Sequence, residues 1–75
     1  MSRIAYHVIP VQAGGWKVKR GGATRASRIF EVKVDAVNFG KQLSANQNGE
    51  LVIHRKDGTI QSADSFGYDP NPPKY

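Results

Sequence analysis

The apolar residues of this chain change period twice along its length, and that pattern restricts the fold more than any other feature. From Ile4 to Val11, and again from Trp16 to Arg20, apolar and polar positions alternate with the two-residue period of a half-buried strand. Tyr6, Val8 and Pro10 share one face of the first segment, with His7, Ile9 and Val11 on the other. Trp16 and Val18 likewise face one way in the second segment, and Lys17 and Lys19 the other. Pro10 lacks a donor for a strand ladder and marks an edge or an end. Ala13-Gly14-Gly15 joins the two segments as a turn, since glycine takes positive φ without a Cβ clash. The expected element is a β-hairpin.

Gly21-Gly22 opens a polar loop that continues to Ser27, and Arg28 to Glu31 reads as a short third strand. From about Val34 the period lengthens. Ala36, Phe39, Gly40 and Leu43 fall on one face of a helix, with Asp35 in its first turn at the positive end of the dipole. Val32, Lys33 and Val34 offer no side-chain acceptor, so no N-cap is expected. Asn46-Gln47-Asn48-Gly49 ends the helix, and Gly49 is the expected left-handed residue. Glu50 to Arg55 returns to strand character, Lys56-Asp57-Gly58 predicts a tight turn, and Thr59-Ile60-Gln61 runs back antiparallel. The predicted class is α+β in the order β-β-(β)-α-β-β. One helix covers one face of an antiparallel sheet of four to five strands. Residues 1–62 form that single domain, and 63–75 form a tail rich in proline and aromatics that packs in part upon it.

With 75 residues and no cysteine, the chain has one thin core and no disulfide to staple it. No apolar run is long enough to cross a membrane, and Met1 to His7 lacks the apolar core of a secretory leader; the expectation is a cytoplasmic protein. The charge is uneven. Residues 1–34 carry Arg3, Lys17, Lys19, Arg20, Arg25, Arg28 and Lys33 against Glu31 alone, a balance of +6. Residues 35–75 carry a balance of −1, so the first half favours an acidic partner.

Three segments carry a family resemblance. They are Trp16-Lys17-Val18-Lys19-Arg20-Gly21-Gly22-Ala23 through Ala26-Ser27, then Leu51 to Ile60 with its His-x-x-Asp-Gly, and Asp64-Ser65-Phe66-Gly67-Tyr68-Asp69-Pro70 through Pro73. In order and spacing they resemble the small bacterial and phage proteins of domain-of-unknown-function family 2188. That resemblance implies a compact α+β domain and carries over no catalytic or binding residue. The family tends to begin its helix with a Thr or Ser cap, where this chain has Val32.

The residues themselves point away from catalysis. His7 and His54 are the only histidines and stand on different strands, without thiolates and without the spacing of a metal motif; no metal or cofactor is expected. No serine sits in a nucleophile elbow, and neither glycine pair forms a phosphate loop, so no enzyme active site is predicted. The functional expectation is nucleic-acid binding, to DNA or RNA, through Lys17, Lys19, Arg20, Arg25 and Arg28. They cluster in one hairpin and its following loop, as phosphate neutralisation requires. The rival expectation is a protein-interaction or homodimeric adaptor that uses an open sheet edge. Lysines on solvated strands that merely block edge pairing are the bland alternative to both.

Overall fold

A computed structural model describes residues 4–65. Its elements are β1 (Ala5–Pro10), β2 (Trp16–Arg20), β3 (Arg28–Phe30), α1 (Lys33–Asn46), β4 (Glu50–His54) and β5 (Ile60–Ser65). All the strands join one sheet in the order β3-β2-β1-β4-β5, and α1 packs across one face of it. The class is α+β, in the element order the periodicity predicts.

The sheet is mixed rather than antiparallel, because β4 pairs with β1 in parallel, Tyr6 beside Leu51 and Val8 beside Ile53. Chain direction explains this. The β1–β2 and β2–β3 pairs are antiparallel, so β3 runs the same way as β1. A helix then carries the chain back to the starting end of the sheet, and the next strand must repeat the direction of the last. β5 returns antiparallel along the outer side of β4 and extends to Ser65, beyond the short return over Thr59–Gln61 that its composition suggests. Its length is set by its partner: Ser65 pairs with Glu50 and Asp64 with Leu51. As a mostly exposed edge strand it carries no apolar alternation by which to recognise it. The tail residues beyond it, from Phe66, lie outside the described residues.

The core is one layer of side chains between sheet and helix. Tyr6, Val8, Val18, Leu51 and Ile53 come from the sheet and Ala36 from α1, with Trp16, Phe30, Val37, Phe39 and Leu43 packed around them. α1 sits close to the sheet at Gly40. A methyl group there would stand 2.7 Å from Leu51 Cδ1 and 3.4 Å from Val8 Cγ2. Val32 precedes the helix in an extended conformation without a side-chain cap, as expected.

At the other end the left-handed residue is Asn48, with φ 53°, and not Gly49. Asn48 N–H donates to Ala45 O at 3.2 Å and Gly49 N–H to Ser44 O at 2.8 Å, the paired bonds of a Schellman ending. Gly49 serves a different need: a Cβ there would collide with the Ile4 carbonyl. Asparagine tolerates the left-handed region, so glycine is free for the position where the backbones touch.

Two hairpin turns close the same end of the parallel pair. Val11 N–H donates to Gly15 O at 2.9 Å, and Arg55 N–H to Thr59 O at 2.6 Å. In the second turn Asp57 Oδ1 accepts from Thr59 N–H at 2.9 Å and from Thr59 Oγ1 at 2.6 Å. Those bonds hold the chain for Gly58, whose φ of 94° suits glycine.

Candidate anion-binding sheet face

Among the described residues α1 covers one side of the sheet alone, and the residues of opposite parity form a face that no other described element covers. The register places Ile9, Lys17 and Ile29 in one row across β1, β2 and β3. A second row runs Lys19, His7, Val52 and Ala63 across β2, β1, β4 and β5. Ala5, Glu50 and Ser65 make a third row at the end of the sheet. Lys17 and Lys19 are half-buried, as expected when aliphatic stems lie along neighbouring side chains and hold the ammonium groups outward.

The five cations singled out from the sequence do not share one face. Lys17 and Lys19 stand together on the uncovered side. Arg20, paired with Tyr6, has the helix-side parity but is exposed at the end of β2. Arg25 is exposed in the loop from Gly21 to Ser27. That loop is held against the sheet by Gly21 N–H to Ala5 O at 2.7 Å and Ser27 N–H to Val18 O at 2.7 Å. Arg28 pairs with Val18 and so lies on the helix side. Its guanidinium stacks 5.1 Å from the centroid of Phe30 and 5.7 Å from that of Phe39, covering an apolar pair.

The residues that sequence reasoning missed on this face are the histidines acting as a pair. His7 Nδ1 lies 3.0 Å from His54 Nε2, the rings 5.3 Å apart. His54 Nδ1 lies 2.9 Å from the Gly58 carbonyl oxygen, which can only accept, so His54 Nδ1 carries the proton. In the neutral ring His54 Nε2 is then the acceptor, and His7 Nδ1–H donates to it. Among the described residues none donates to His7 Nε2, which keeps its lone pair. Partial burial, the facing His54 and the neighbouring Lys19 together hold the His7 pKa below the ordinary histidine value. The signal that could have found the pair is the parallel register of β1 and β4, which sets residues 47 positions apart side by side.

An open cleft of about 740 Å³ lies between the two hairpin turns, beside Pro10, Trp16, Glu31, Lys56 and Asp57. Its charges are of both signs, and it bears no cluster of catalytic type. Among the described residues no three His, Cys, Asp or Glu side chains gather as a metal-binding group, and no helix is long and apolar enough to cross a membrane.

Residues 6–66 match the model of a family described as an uncharacterized protein conserved in bacteria, DUF2188. The chain belongs to this family. The matched range takes in both hairpins, α1, His7 and His54. The DUF2188 chain is similar to the uncharacterized protein YdaT of Bacillus subtilis (strain 168), with 39% identity over 57 residues. That alignment covers 76% of this chain and 37% of YdaT, so the DUF2188 chain spans little more than a third of this relative's length. No solved structure matches the chain.

Proposed function

We propose that this DUF2188 domain is a non-enzymatic binding module for nucleic acid, engaging phosphates through the uncovered sheet face. The observation that carries this reading is the placement of Lys17 and Lys19 side by side on that face, with Arg20 and Arg25 at the adjoining end of β2. Glu50, two strands from Lys19 at the same end of the sheet as Arg20, is the one carboxylate in register among the described residues of the face. The aromatic rings give the reading a direction. Among the described residues Tyr6, Trp16, Phe30 and Phe39 all pack toward the helix, which leaves no Tyr, Trp or Phe ring of theirs on the face as a stacking platform for unpaired bases. Contact with the phosphates of a duplex, without base readout, fits the face better than single-strand binding. Arg28, committed to Phe30 and Phe39, stands outside this surface.

Fluorescence anisotropy with labelled duplex and single strands tests the proposal. Neutralising phosphates with Lys17, Lys19, Arg20 and Arg25 corresponds to a slope of about −3 to −4 in log affinity against log salt. Affinity should then fall about a hundredfold between about 50 mM and about 200 mM salt. Lys17→Glu with Lys19→Glu should weaken binding by about tenfold or more while the domain stays folded. Lys41→Glu, on the exposed side of α1, alters net charge without touching the face and should change affinity much less. Equal losses per reversed charge would show that only net charge matters, and would remove the proposed surface.

A second reading is favoured by Ile29, which is 61% exposed on the same face at the β3 edge. An apolar residue beside an unpaired edge strand suits a protein partner or a second copy of the chain, and such binding would show little salt dependence.

A further inference from the structure

We propose that His7 is a phosphate contact of the basic face that takes up one proton as the complex forms, so that His7 and Lys19 together make a proton-loaded phosphate subsite. This rests on the nucleic-acid reading above and names a further binding residue within it. The hydrogen-bond chain decides where a proton can go. Gly58 O fixes the proton on His54 Nδ1 and leaves His54 Nε2 to accept from His7 Nδ1. The one free lone pair of the neutral pair is therefore His7 Nε2. A proton added there makes His7 cationic and leaves both existing bonds in place, with the His7-to-His54 bond now charge-assisted. A second proton would put hydrogens on both facing nitrogens and break the pair. The device loads one proton and stops.

The position of that nitrogen suits an anion. His7 is the register partner of Lys19 on the uncovered face. Its Nε2 edge lies beside Gly21, which has no side chain to stand over it; a Cβ there would come within 3.6 Å of that nitrogen. Among the described residues the charged and titratable groups facing it are Lys19, with Lys17 beyond it, from β2, and His54 and Glu50 from β4. Ala63 on β5 adds none, and α1 lies behind the sheet. In the free protein partial burial opposes a further positive charge there, and His54 and Lys19 add to this. A phosphate bridging Lys19 and His7 reverses that balance, because it supplies the opposite charge at the same point. By linkage, proton uptake on binding and tighter binding at lower pH are one effect.

The test measures duplex affinity of the whole chain by anisotropy at fixed salt, between about pH 5.5 and about pH 8. Affinity should rise as pH falls below about 6.5, with a limit of tenfold per pH unit for one proton, and flatten at higher pH. His7→Asn keeps a side-chain donor toward His54 and removes the titrating nitrogen, and it should make the profile flat. Should that variant fail to fold, calorimetry of the wild-type chain with duplex in buffers of different ionisation enthalpy reads the proton uptake directly. Imidazole NMR of the same samples identifies the ring that gains the proton. Duplex binding without pH dependence, or uptake at His54 instead of His7, overturns this inference and leaves the nucleic-acid reading intact. Absence of duplex binding at every pH overturns both.

Discussion

Gly40→Ala puts the seating of α1 on the sheet to a direct test, because two effects of known sign oppose each other there. In an exposed helix this replacement stabilises by about 1 kcal/mol through backbone entropy. Here the added methyl would lie 2.7 Å from Leu51 Cδ1 and 3.4 Å from Val8 Cγ2. Ordinary carbon contacts sit at about 3.5–4.0 Å, so helix and strand must separate by close to an ångström or Leu51 must change rotamer. Leu51 and Val8 are both 0% exposed, which leaves neither side chain an empty direction to move. Overpacking of this kind costs about 1–3 kcal/mol. The net expectation is a loss of about 1 kcal/mol, or about 4–8 °C in melting temperature for a domain of this size. Urea unfolding followed by circular dichroism and by Trp16 fluorescence measures it, with an unchanged slope as the check on two-state behaviour. The double variant sharpens the assignment. Leu51→Val withdraws the obstructing methyl, so Gly40→Ala added to it should become neutral or stabilising, a coupling of about 1–2 kcal/mol. Stabilisation by Gly40→Ala alone would refute the close seating. An unchanged loss in the Leu51→Val background would refute its attribution to Leu51.

Arg28→Ala should lower stability by about 0.5–1 kcal/mol through loss of the stack over Phe30 and Phe39, with duplex affinity in the anisotropy assay nearly unchanged. The pH profile of stability should have two limbs, read by urea unfolding across pH. Bonds from Thr59 Oγ1 and N–H hold the Asp57 pKa below the usual carboxylate value, so its contribution is present above about pH 4 and is lost as pH falls through the lower folded value. His7 is also depressed, so its contribution is complete above about pH 6.5 and declines below it; His7→Asn should remove that upper limb and Thr59→Val should weaken the lower one.

What the sequence made legible here follows the range of the physics involved. The first hairpin, the helix face of Ala36, Phe39, Gly40 and Leu43, and the missing N-cap depend on neighbours within a few positions, and each is found in the structure. So is the outward parity of Lys17 and Lys19. The start and antiparallel return of β5 were legible, but its reach to Ser65 was not, because Ser62, Ala63, Asp64 and Ser65 carry no strand pattern of their own; they are extended because Glu50 to Ile53 need partners. Asn48 and Gly49 were exchanged because two glycine-like demands fall on adjacent residues, and only the contact with Ile4 tells which one needs the missing Cβ. Arg28 read as a member of a cationic cluster because nearness in sequence says nothing of face, whereas its pairing with Val18 does.

The parallel pairing of β1 with β4 is where local reading and tertiary structure part most sharply, and the consequence is functional. Strand directions alone imply it: up, down and up through the first three strands, down through the helix, then up again. Once β4 lies parallel against β1, His7 and His54 fall on the uncovered face beside Lys19. In an antiparallel pairing of the same two strands β4 would run the other way, and His54 would lie at the opposite end of the pair, beside the start of β1. Two histidines that read in sequence as unrelated strand residues thus become one hydrogen-bonded unit with a single free nitrogen, placed where a basic face would meet phosphate.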